Sequence, residues 1–122
     1  MAVTTATVPA RLADTLVIDT SATNTAEANV FSGAVTLHCI QINNLENPTA
    51  CYIKAWNATS GTPASNNPDY TFYCAGNQKI SYILHQGLAF SAGISFWGTT
   101  TQANATAQTS PDPAPTVTLL GN

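Results

Sequence analysis

Charged side chains are the scarcest material in this sequence. Asp, Glu, Lys and Arg make up 7% of its 122 residues, against roughly 25% in an average soluble protein. The cations are Arg11, Lys54 and Lys79, set against Asp14, Asp19, Glu27, Glu46, Asp69 and Asp112, for a net charge of −3. A nucleic-acid binder neutralises phosphates with clustered Lys and Arg, so no nucleic acid is expected as a partner. Long apolar runs are missing too: none approaches the roughly 18 to 20 residues of a membrane span, and no membrane partner is expected. The N-terminal MAVTTATVPARLADT has neither the basic nor the apolar region of a signal peptide, which points to synthesis in the cytosol. Close cysteine pairs are also absent. Cys39, Cys51 and Cys74 are odd in number and widely spaced, which fits free thiols in a reducing compartment better than a disulfide framework.

Catalytic patterns are equally thin. The intervals between the cysteines are far longer than the tight pairs of structural zinc sites. His38 and Cys39 are neighbours in an extended segment, so their side chains point to opposite faces and do not form a nucleophile and base pair. The six carboxylates are scattered through turns and strand ends, without a pair for general acid and base work. The glycines from Gly87 to Gly98 stand at the wrong intervals for a phosphate cradle and have no basic residue beside them. No catalytic residue, metal ligand or cofactor is therefore expected, and the chain is read as non-enzymatic.

What is present is neutral polarity and a period of two. Thr, Ser, Asn and Gln supply the solubility that charges usually supply, a weak protection against association, so the chain reads as a subunit that lives against neighbours. In Val35-Thr-Leu-His-Cys-Ile-Gln-Ile-Asn43, Val35, Leu37 and Cys39 share one face, whereas Ile40 and Ile42 are one residue out of phase; a β-bulge near Cys39 realigns the two sets. Cys51-Tyr-Ile-Lys-Ala-Trp-Asn57 alternates Cys51, Ile53 and Ala55 with Tyr52, Lys54 and Trp56, and either side qualifies as the core face. Asp69 to Cys74 and Lys79 to Leu84 flank Ala75-Gly76-Asn77 and read as a hairpin, followed by a turn at His85-Gln86-Gly87. Thr15–Asp19, a short segment at Leu88 to Phe90, a strand around Ile94 and Phe96, and Thr116–Leu120 complete the set, with the prolines of PDPAP in an extended loop.

These seven or eight short strands at roughly 8 to 15 residue intervals predict one all-β domain, an antiparallel β-sandwich of jelly-roll type over residues 14–122, preceded by an arm over residues 1–13. Ile94 and Phe96 are expected to point into the sandwich. Trp97 is expected to point outward, as a contact to a neighbouring subunit. Trp56, Trp97 and the tyrosines also suit a stacking platform for a sugar ring.

From Cys51 onward, the pieces CYIKAWN, TPASNNPDYTFY, NQKISYIL, GLAFSAGISFWGTTT and NATAQ resemble, in order and spacing, a pattern of small β-sandwich virion proteins of tailed bacteriophages. The resemblance covers roughly the last 70 residues and implies a structural role: a capsid decoration or cement protein, made in the host cytoplasm and carried in the virion. It implies a homotrimer bound to the major capsid protein or another virion protein, which stabilises the assembled head by mass action. The alternative is a tail, neck or fibre module that binds a host-surface glycan through exposed aromatics. Candidate subunit or capsid contacts are Trp97, Trp56, Tyr73, Pro9, Arg11, Pro113 and Pro115, the prolines marking segments suited to strand addition on a neighbour.

Overall fold

The structure is a computed structural model that describes residues 15–122. The expected arm, with Pro9 and Arg11, lies outside the described residues. Seven strands run in the order β1 (Thr15–Asp19), β2 (Val35–Asn43), β3 (Cys51–Asn57), β4 (Tyr70–Cys74), β5 (Lys79–Phe90), β6 (Ile94–Thr99) and β7 (Thr116–Gly121). They form a four-stranded sheet, β1-β7-β2-β5, and a three-stranded sheet, β4-β3-β6, with all pairings antiparallel. This is the expected single-domain β-sandwich.

The pairing is nested. β1 pairs with β7, β2 with β5, and β3 with β4, as in a ribbon whose ends meet first. One rung of that series lies outside the named strands: Glu27 and Phe96 exchange backbone hydrogen bonds of 2.8 and 3.0 Å, and Val30 N donates to Ile94 O at 2.9 Å. With this segment in second place, the sheets read first-eighth-third-sixth and second-seventh-fourth-fifth. That is the jelly-roll arrangement, with its second strand reduced to a bridge.

Alternation explains which side chains fill the space between the sheets. In β7, Val117 and Leu119 are buried while Thr116 and Thr118 face the other way. In β2 the pairing register shifts between Leu37 and Cys39, where the bulge was expected, and this lets Leu37, Ile40 and Ile42 all enter the core. Ile53, Ile94 and Phe96 face them from the other sheet. Each large buried apolar side chain contributes on the order of 1.5 to 3 kcal/mol.

Two local readings are corrected. Asp69 to Cys74 and Lys79 to Leu84 are not a hairpin, because β4 and β5 belong to different sheets. Their apolar faces meet across the core instead, with the Phe72 and Tyr82 rings 5.4 Å apart. The connecting turn is tight: a Cβ on Gly76 would lie 2.0 Å from the Pro48 carbonyl oxygen. His85-Gln86-Gly87 is not a turn but part of β5, which bulges there. Leu37 pairs with Leu88 and Cys39 with Ile83, so Leu84 to Gly87 stand opposite His38 alone. Gly87 has φ +77, and a Cβ there would meet Thr36 Cγ2 at 2.4 Å.

Ile53 is fully buried in the middle of β3. Ile53→Ala is expected to lower the unfolding free energy by about 2 to 5 kcal/mol, read by urea denaturation. A loss below about 0.5 kcal/mol would contradict this placement of the core.

Candidate functional site

The outward face of the β4-β3-β6 sheet is covered over β3 and β6. Lys54 of β3 lies opposite Trp97 of β6, and the Trp56 and Trp97 rings stack with centroids 4.0 Å apart. Trp97 does point away from the sandwich core, as alternation requires, but it is 0% exposed. The segment from Thr100 to Pro111 folds over it. Trp56 is also buried, with Gly61 so close that a Cβ there would touch the indole at 2.9 Å. Neither tryptophan is therefore a surface contact or a sugar platform. The reason is that the polar loops, which carry no periodic signal, return over this face as a further layer.

Lys54 ties that layer down. Its side chain is 0% exposed, and Nζ donates to Gln102 O, Ala103 O and Gln108 Oε1, each at 3.0 Å. Trp97 Nε1 donates to the same Gln108 oxygen at 3.3 Å, while Gln108 Nε2 donates to Ala103 O at 2.8 Å and Thr106 O at 2.9 Å. Three oxygens on an ammonium, all of them neutral carbonyls, make this a structural clamp. Burial pushes the Lys54 pKa below its ordinary value. The alternation in CYIKAWN left the facing of Lys54 open, and Gln108 sits in a loop without any sequence signal.

The three thiols are free. Cys51 and Cys74 face each other across β3 and β4. The Ala58 N to Gly93 O and Asp69 N to Ala55 O bonds show that odd-numbered residues of β3 bond toward β4. Cys51 and Cys74 therefore occupy a hydrogen-bonded pair, where Cβ atoms stand farther apart than the ~3.8 Å a disulfide needs. Burial, then the neighbouring Cys74, pushes the Cys51 thiol up to about 12. Burial raises Cys74 as well.

The outward face of the four-stranded sheet is different. Leu16, Leu120, Cys39 and Ile83 are register partners across all four strands, forming one apolar row. Leu16 is 55% and Ile83 70% exposed, and Ile18, in the next row with Thr118, Gln41 and Ser81, is 55% exposed. A third row holds Thr116, Asn43 and Lys79. Across these three rows Lys79 is the single formal charge, and no carboxylate is present. Among the described residues, none of those expected as contacts lies on this face.

Of those residues, Tyr73 is 45% exposed on β4, 5.4 Å from the Tyr52 ring. Pro113 is exposed and Pro115 buried; both line a cleft of about 270 Å³ with Thr20, Asn44, Asn47 and Thr116. Pro115 also accepts a hydrogen bond from Ala22 N at 3.0 Å, which holds this segment against its own chain. Asn44 Oδ1 and Asn47 Nδ2, both buried, lack a hydrogen-bond partner among the described residues. His38 Nε2 lies 2.8 Å from Asn122 Oδ1. No group of three or more His, Cys, Asp and Glu among the described residues is placed to hold a metal ion. No protein-family model, curated protein or solved structure matches the chain.

Lys54→Met removes the donor shared by three acceptors, and is expected to cost about 1 to 3 kcal/mol of stability. Acrylamide quenching of tryptophan fluorescence should rise as the 100–111 segment loosens; unchanged quenching and stability would contradict the clamp. An unfolded thiol of pKa 9.0 loses its proton well before native Cys51, whose pKa is about 12. The contribution of Cys51 is therefore complete below pH 9.0 and is lost as pH rises toward 12. Urea denaturation from pH 8 to about 10.5 should show a shallower decline in stability for Cys51→Ala than for the unaltered chain.

Proposed function

We propose that this chain is a non-enzymatic structural subunit of a tailed-phage virion, a capsid decoration or cement protein that binds the assembled head. The observation that carries the reading is the exposed apolar row on an almost uncharged sheet face. A contiguous exposed apolar surface is costly to leave in water and marks a docking site more often than it marks chemistry. The order and spacing of the segments from CYIKAWN to NATAQ support the same reading, as does the chain's low charge. The jelly-roll topology is compatible with it but serves many functions.

In this reading the chain folds in the host cytoplasm and is carried in the virion as a small oligomer, a homotrimer by the resemblance. Its partner is the major capsid protein or another virion protein. Preference for the assembled shell over free subunits then stabilises the shell by mass action. The alternative, a tail, neck or fibre module gripping a host glycan through aromatics, is weakened by burial of Trp56 and Trp97, which leaves Tyr73 as the exposed aromatic among the contacts named.

Purified protein added to expanded, undecorated phage shells is expected to sediment with them and to raise their disruption temperature. Binding to host cells with shells unaffected would instead favour the glycan-binding module.

A further inference from the structure

We propose that the outward face of the β1-β7-β2-β5 sheet is a contact between copies of this chain, centred on the row Leu16, Leu120, Cys39 and Ile83. The proposal rests on the reading of the chain as an assembly subunit, and it names the partner that this face meets first; a face stacked on its own copy closes at two chains, so this contact makes a dimer rather than the homotrimer that the resemblance implies.

Three properties of the face favour a second copy. The first is size: strands of five, six, nine and twelve residues, at about 3.4 Å per residue and about 4.8 Å apart, give a sheet face of roughly 500 Å². A standard interface buries about 800 Å² per partner, so the face is of the right order for one stable contact. The second is charge. Apart from Lys79 at one end, the three rows are neutral, so two copies of the face can meet without like-charge repulsion or burial of an unpaired carboxylate. The third is the placement of the large side chains. Leu16 and Ile18 stand on the β1 edge and Ile83 on the β5 edge, each more than half exposed, while the partly covered Leu120 and Cys39 lie between them. The apolar surface thus runs from edge to edge of the sheet, and two such sheets stacked at the ordinary spacing of about 10 Å would exclude water along the whole row.

The other sheet offers nothing comparable: the 58–69 and 100–111 segments cover its outward face over β3 and β6, leaving the five-residue edge strand β4, with Thr71 and Tyr73, exposed. Sequence alternation alone does not distinguish the two sheets. Only the covering loops do.

The test is the mass of the purified full-length chain by light scattering and sedimentation, up to about 100 μM, where even a micromolar contact is populated. The chain is expected to be oligomeric, and Ile83→Lys and Leu16→Lys should each weaken the oligomer by at least about tenfold, because each would bury an unpaired charge. Both positions are exposed, so the circular dichroism spectrum should be unchanged; Ile18→Lys replaces either variant that fails to fold. Thr71→Lys, on an exposed position of the other sheet, should leave the mass as it is. A monomer at every concentration, or an oligomer indifferent to Ile83→Lys, Leu16→Lys and Ile18→Lys, overturns the proposal. A monomer that still binds shells overturns this inference and leaves the decoration reading standing. An oligomer dispersed by these variants that never binds shells does the reverse.

Discussion

Everything on one side of this sandwich depends on how a lysine ammonium is satisfied without water. β3 and β6 lie side by side with both faces buried, and β3 carries Lys54 on the face away from the core. An unpaired buried cation would cost more than the surrounding apolar contacts supply. The chain meets this with carbonyl oxygens from its own 100–108 segment, and the same glutamine that accepts from Lys54 also accepts from Trp97. One polar network therefore fixes a long, irregular, proline-containing loop in place and seals Trp97 beneath it, while Trp56, stacked on Trp97, is closed off by the loop at Gly61. A network of this kind stabilises only when every member is satisfied, which is why the orientation of Gln108 matters as much as the lysine.

The result is an asymmetric molecule. On the three-stranded side, the layers run core, sheet, loops. On the four-stranded side, they run core and sheet, with the outward face left to its own side chains. That difference decides where association is to be sought. The two tryptophans, a residue type that often anchors an interface, are consumed by internal packing, whereas aliphatic residues of modest size remain outside on β1 and β5. The low charge of the chain has different consequences on the two sides: under the loops it limits desolvation to one ammonium, and on the open face it leaves little to repel a partner.

Much of the fold was legible from alternation. The phase slip in VTLHCIQIN located the bulge at Cys39, because a single extra residue is the only way to bring Leu37 and Ile40 to the same side. Ile94 and Phe96 were assigned to the core for the same reason, and Val117 and Leu119 alternate with threonines as they do in the structure. The hairpin assigned to β4 and β5 failed because alternation states which face is apolar, not which neighbour it meets; Phe72 and Tyr82 pack as well across the core as they would side by side. The turn assigned to His85-Gln86-Gly87 failed because a glycine with positive φ serves a bulge within a strand as readily as it serves a turn.

The sequence by itself determined the period of the strands, the position of one bulge, the core faces of the strands other than β3 and the near absence of charge, since these depend on neighbours a few residues apart along the chain. The tertiary structure alone decided that Trp97 and Trp56 are buried, that Lys54 is clamped and that the apolar row from Leu16 to Ile83 is exposed. Those outcomes depend on where the 58–69 and 100–111 loops come to rest. A loop's resting place is set by contacts with residues tens of positions away, such as Gln108 with Lys54, and no local pattern encodes them.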